Sequence, residues 1–233
     1  LEKNAPRAFL CAGLVFGLAA LTVASVLSFV AAAALWIYWK KRALLLPAAF
    51  LFGVIAVIAP ISWRNYAIGD DAVLISFNSG VNFYIGNNAH YEETTKTRPG
   101  WEWDELIAEP TAAGSKRPSE KSAYFWRKAL SHFRDQPLHS AYLQLRKTKE
   151  FLSGDEVGRN QDIYYWRNYS SLLATTLWKW GVAFPFGLLS PLALFGLGLT
   201  WRRRAVHLGV LFALAYSAAV IAFFPMARYR IPI

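Results

Sequence analysis

The chain has 233 residues, 55% of them hydrophobic and only 17% charged, with a net charge of +10. A single cysteine, Cys11, excludes a disulfide within the chain. The four histidines show no HExxH-type ligand spacing, which argues against a zinc site, and no Ser-His-Asp arrangement or phosphate-binding glycine loop is visible.

The apolar residues are gathered in blocks: Ala8 to Trp39, Ala43 to Ile61, Gly181 to Leu199 and Ala205 to Pro225. A helix that crosses a bilayer needs about 20 mostly apolar residues, so the last three blocks fit one span each. Ala8 to Trp39 is too long for one helix and short for two, and reads as a tight helical hairpin turning near Thr22. A cleavable secretory signal does not fit this pattern. The expected fold is an all-α, multispanning membrane protein with about five membrane helices, the first two as a hairpin. An extracytoplasmic, mainly helical domain completes it. The blocks place N-terminal membrane helices in residues 1–61, the outer domain in 62–175 and C-terminal membrane helices in 176–233.

Charge supplies the orientation. Fourteen of the 15 acidic residues lie between Asp70 and Asp162, and the segment from Ser62 to Thr175 also holds 14 Lys and Arg, which leaves it close to neutral. The positive excess sits beside the apolar blocks, at Lys3 with Arg7, Lys40-Lys41-Arg42 and Arg202-Arg203-Arg204. Short basic loops stay in the cytoplasm, and a hairpin over Ala8 to Trp39 puts all three clusters there. The basic pI is then a matter of topology in a multi-pass cell-membrane protein, not a nucleic-acid surface. Trp36, Trp39, Trp63, Trp178, Trp180 and Trp201 fall near the predicted span ends, where indoles favour the interface.

Within the outer segment, Ser62 to Asn88 reads as irregular, with a short strand at "AVLISF". Ala89 to Pro118 is rich in Gly, Pro and Thr and reads as loop anchored by Trp101 and Trp103. From Ser119, a possible cap, Ala123, Trp126, Leu130 and Phe133 recur at helical spacing until Pro137. A second helix carries Leu138, Ala141, Tyr142 and Leu145, with Gly154 suited to its end. Two amphipathic helices joined at "DQP" can lie on a membrane surface or roof a cavity.

"WRNYAIGDD...ISFNSGVNFYIGNN", "KTKEFLSGDEVGRNQDIYYWRNYSSLL" and the ending "ARYRIPI" resemble, in order, segments of membrane glycosyltransferases of family 39 (GT-C fold). These are relatives of protein O-mannosyltransferases and lipid A aminoarabinose transferases. The resemblance implies an enzyme that moves a sugar from a polyprenyl-phosphate donor to a protein, lipid or glycan acceptor on the outer face of the membrane. No cofactor is implied beyond a divalent cation in metal-assisted members. The family's catalytic carboxylate lies in a first outer loop that would precede Leu1. The chain begins without a methionine and stops straight after a span, so it is expected to be cut at both ends; the resemblance implies that it lacks that group, leaving its catalytic residues unknown. Thr22-Val23-Ala24 stands where many relatives show Thr-Arg-Pro, which removes an expected phosphate contact.

Such chemistry needs cations for the lipid phosphate and amides and aromatic faces for the sugar. Arg64, Lys147, Arg228 and Arg230 are the candidate phosphate ligands, since cations and guanidinium forks match phosphate oxygens. The alternatives are interfacial anchoring for Arg64, a solvated helix face for Lys147 and snorkelling to head groups for Arg228 and Arg230. Asn82, Asn87, Tyr84 and Glu156 are the candidate sugar or acceptor contacts, with Gly80 and Gly86 letting backbone approach closely. The competing reading makes the asparagines caps of turns and Glu156 a local ion-pair partner of Arg159. Asp70-Asp71 reads as a turn before a cation site. Asn168-Tyr169-Ser170 matches a glycosylation acceptor on a weak pattern. A transporter or flippase, and a non-catalytic assembly subunit, remain the rival functions.

Overall fold

The computed structural model describes residues 5–153, 163–176, 186–226 and 229. Among them the chain is all-helical, without a strand. The described residues fall into two compact units. The first runs to Phe77 and adds Arg117–Ser119 and His207–Ala219; the second holds Asn78–Lys116, Glu120–Val206 and the chain from Val220.

The first unit is built on helices α1 (Pro6–Thr22), α2 (Val26–Lys41) and α3 (Leu45–Gly69). Proline at the first position of α1 loses no needed hydrogen bond. The expected break near Thr22 is present: Val23 is extended and donates its N–H to Ala19 O at 2.9 Å. α2 ends where Arg42 turns left-handed, its N–H on Tyr38 O at 2.7 Å, with Lys40 and Lys41 in the last turn to complement the helix dipole. α1 packs on α3 through glycine. A methyl on Gly13 would stand 2.0 Å from Phe50 O, and one on Gly53 2.5 Å from Leu10 O. Gly13 and Gly17 form the GxxxG spacing that brings helix backbones together. Phe29, Phe50, Val54 and Ile58 fill the interior, while Leu18, Leu35, Phe52 and Ile55 face outward.

Among the described residues, two helical segments are long and apolar enough to cross a membrane: α3, and Val206–Phe223 of α12 (Arg204–Phe223). α1 and Leu189–Thr200 are shorter apolar helices.

The second unit contains α4 (Ser79–Gly86), α5 (Tyr91–Thr94), α6 (Trp101–Ala112), α7 (Pro118–Asp135) from Glu120 onward and α8 (Pro137–Ser153). It continues with α9 (Ile163–Trp166), α10 (Ser171–Thr176), α11 (Phe186–Thr200) and the end of α12. Its core joins Val81, Tyr84, Ile85, Phe125, Leu143 and Phe224.

Three expectations for this region are corrected. Ser62 to Gly69 is not irregular: it extends α3 past Pro60 until Asp70 turns left-handed at φ 47°. "AVLISF" forms no strand, and the asparagine stretch after it is largely α4. The supposed loop at 89–118 contains α6, because Gly100 (φ 114°) and Gly114 (φ 91°) mark its limits. Glu102 and Asp104 in its first turn complement the dipole. The two helices divided at Pro137 are present as expected, but α7 is capped from afar. The Ser119 N–H donates to Asp71 Oδ2 at 2.7 Å.

Candidate functional site

The asparagine stretch lies in the second unit and turns its polarity inward. Asn87 is buried, and its Nδ2 donates to Phe83 O and to Ala222 O, both at 2.8 Å. Its Oδ1 accepts from Gln144 Nε2 at 2.8 Å and from Lys147 Nζ at 2.9 Å. Lys147 is 0% exposed and also donates to Ala222 O and Phe223 O, each at 3.1 Å. The last carbonyls of a helix have no partner inside it; at the end of α12 the ammonium and the amide supply them. Burial holds the lysine pKa down to about 7, with the charge of Glu150 acting in the opposite direction.

Two proposed ligands are thereby corrected. Lys147 and Asn87 are brought together, but as a sealed node whose donors and acceptors are spent on the protein itself. Tyr84 is likewise a core residue, 5.5 Å from the Phe125 ring and under the Lys128 ammonium at 4.6 Å, and offers no open face to a sugar. The glycines serve the same packing. A Cβ on Gly86 would meet Phe223 O at 1.7 Å, and one on Gly80 would meet Ser122 O at 2.0 Å. Asn88 is buried too, donating to Tyr84 O at 2.7 Å and Thr94 Oγ1 at 3.0 Å.

Asn82 is half-buried on α4, and Arg64 is exposed near the end of α3, in the first unit. Glu156, Arg228 and Arg230 lie outside the described residues. Asp70 and Asp71 form a turn: Arg117 pairs with Asp70 at 2.7 Å while Asp71 caps α7. Among the described residues, no three His, Cys, Asp or Glu gather as metal ligands.

A different site emerges between α5 and the start of α6. A groove of about 500 Å³ is lined by Trp101, Glu93, Glu102, Glu105, Lys96, Arg98 and the threonines 94 and 97. Its volume falls within the roughly 300–1,000 Å³ of small-ligand sites. Trp101 is 74% exposed, whereas Trp103, two residues on, packs against the core. Glu102 Oε2 accepts the Arg98 N–H at 2.9 Å, which ties the segment before α6 to the first turn of the helix. Glu92 faces away to Arg146 Nη1 at 2.6 Å, and Arg146 binds Glu150 through Nε at 2.9 Å. The sequence signal was "GWEWDE": an indole with carboxylates one and four residues after it, following a helix-starting glycine.

A second groove of about 540 Å³ carries Arg127, Lys128, Tyr124, Ser115 and Ser131. Its lysine is compensated, because Glu109 accepts both the Lys128 ammonium and the Tyr124 hydroxyl, the latter at 2.9 Å. No family model, curated protein or solved structure matches the chain.

Proposed function

We propose that the chain serves in an integral-membrane glycosyltransferase that moves a sugar from a polyprenyl-phosphate donor to a protein, lipid or glycan acceptor. In this reading the apolar helices span the membrane several times and residues 62–175 face outward, with a divalent cation as the one admissible cofactor. Support comes from the ordered family resemblance, the basic clusters beside the apolar blocks and the apolar outer faces of α1 to α3. The observation that carries the reading is the Trp101 groove. An exposed indole offers a stacking face to sugar C–H groups, and Glu93, Glu102 and Glu105 offer acceptors to sugar hydroxyls. The acceptor glycan binds there. Arg64, free of an internal ion pair among the described residues, remains the phosphate ligand on α3, with Arg228 and Arg230 carried from the sequence.

The test is binding by the full chain in nanodiscs. A photoreactive polyprenyl-phosphate sugar should label it saturably, and Arg64→Gln should weaken that labelling. Short oligosaccharides should bind and lose most of their affinity in Trp101→Ala, with the melting temperature unchanged. Absence of saturable labelling overturns the donor reading; unchanged oligosaccharide binding in Trp101→Ala overturns the groove.

A further inference from the structure

α8 has two apolar faces, and only one of them is used inside the protein. Ser140, Leu143, Lys147 and Phe151 lie on one side of the helix and are all buried, at 3% exposure or less. On the opposite side Leu138, Tyr142, Leu145 and Leu152 are 87%, 57%, 72% and 61% exposed. At 100° per residue these four fall within a narrow stripe along the helix. Between Leu138 and Leu152, the other exposed positions are Ala141 and Lys149. The helix's acid, Glu150, is turned inward, accepting from Tyr91 OH at 2.7 Å and Arg146 Nε at 2.9 Å. α11 approaches α8 without covering the stripe.

We infer that this face of α8 lies in the surface of an anionic lipid bilayer. Contiguous apolar side chains at such exposure mark an interaction surface in a folded protein. Three features select lipid over protein as the occupant. The stripe runs straight along a helix of 17 residues, the form of an interfacial amphipathic helix. Its lone charge is positive, and Lys149 stands in the middle of the stripe, where a four-carbon stem can lie among acyl chains while the ammonium reaches a phosphate. Tyr142, with an apolar ring and a polar tip, suits the same boundary. Among the described residues, two helices of the same chain are long and apolar enough to cross a membrane, which accords with a bilayer nearby. The inference stands apart from sugar transfer and holds for any function of the chain.

The experiment places an environment-sensitive fluorophore on a single cysteine at Leu138, Leu145 or Ala112, in the full chain with Cys11→Ala. Ala112 is exposed on α6 and serves as the aqueous control. The protein is reconstituted into phosphatidylcholine vesicles with or without phosphatidylglycerol. Labels at positions 138 and 145 should emit to the blue, be quenched by brominated lipid and resist iodide, while the label at 112 shows the reverse. Lys149→Glu should lower bromolipid quenching several-fold in the anionic vesicles. Iodide quenching at 138 and 145 equal to that at 112 overturns the inference, since the face is then in water. Shielding from both quenchers overturns it as well, since a protein then covers the face. Quenching indifferent to Lys149→Glu and to phosphatidylglycerol overturns the anionic assignment.

Discussion

The two units solve close helix contact in opposite ways. Where α1 meets α3, nearness comes from what is absent: Gly13, Gly17 and Gly53 remove side chains so that backbone rests on backbone. Where α4 meets the end of α12, Gly86 gives the same nearness, but Asn87, Gln144 and Lys147 then lock the contact with hydrogen bonds. Long apolar helices satisfy their own backbones and need only shape. Helix ends leave carbonyls without partners, so a contact made at an end needs donors as well. At this contact polarity is spent where a helix stops.

The largest effects should come from the glycines, which both units share. Gly86→Val and Gly13→Val drive a side chain into a backbone oxygen, which cannot swing aside. Overpacking costs about 1–3 kcal/mol, occasionally more, and both variants should sit at or beyond the top of that range. Folded yield and melting temperature in detergent report it. Gly209→Ala is the control, with open space around the new methyl, and should raise stability by about 0.5–1 kcal/mol through helix propensity. A mild Gly13→Val beside a severe Gly86→Val would show that the apolar contact can slide where the bonded one cannot.

Next comes the node itself. Lys147→Met takes one donor away from Asn87 Oδ1, Ala222 O and Phe223 O, and leaving a buried acceptor short of a donor costs about 1–3 kcal/mol. A pH series sharpens the comparison. Unfolded, the lysine keeps its proton to about pH 10.4; folded, burial lets it go near 7. Between those values the unfolded chain binds more protons, so stability should rise with pH. Above about pH 10 the trend reverses, because burial and the Glu150 carboxylate raise the Tyr91 pKa and its ionisation favours unfolding. The rise in melting temperature between about pH 7 and 9.5 should vanish in Lys147→Met. A flat wild-type profile would mean that the three acceptors keep the ammonium charged throughout.

This node explains what the sequence could and could not convey. The break near Thr22 and the α7–α8 division at Pro137 follow from local spacing, and both are present. α6 was hidden because glycines and prolines that punctuate a loop in sequence can equally bound a helix. "FNSGVNFYIGNN" promised either ligand contacts or structural caps. The deciding partners, Gln144, Lys147 and the Ala222 carbonyl, stand far along the chain, and no local pattern names them. Lys147 itself looks like any lysine on a charged helix until its place opposite the exposed stripe is known. The Trp101 groove was half legible: two tryptophans two residues apart point to different sides, but which side is open depends on packing.

The asparagines give the third prediction, of intermediate size. Asn87→Ala should cost about 1–3 kcal/mol, since it leaves a buried carbonyl and the lysine each short of a partner. Asn82→Ala, half-buried on α4, should fall within about 0.5 kcal/mol of the parent. If the groove and not this stretch binds sugar, oligosaccharide affinity per folded molecule should be unchanged in both. Loss of that affinity in a stable Asn82→Ala would return α4 to the site.

The smallest effects belong to the neighbouring aspartates, where the apolar unit makes polar contacts of its own. Asp71 is buried and receives the Ser119 N–H, a helix cap supplied from a distant part of the chain. Burial pushes its pKa up, but the Ser119 hydrogen bonds and the Arg117 charge outweigh that and hold it below the usual carboxylate value. Its contribution is thus present above about pH 4 and lost as pH falls through the lowered value. Asp71→Ala should cost about 0.5–2 kcal/mol, the worth of a cap. Asp70 pairs with Arg117 in solvent, its side chain 82% exposed, and such pairs contribute about 0–1 kcal/mol. Its backbone is left-handed at φ 47°, a conformation that asparagine tolerates well. Asp70→Asn should therefore leave the melting temperature nearly unmoved, and Asp70→Ala should lower it by the conformational cost alone. Equal losses from Asp70→Asn and Asp71→Ala would mean that the exposed pair, not the cap, holds the start of α7.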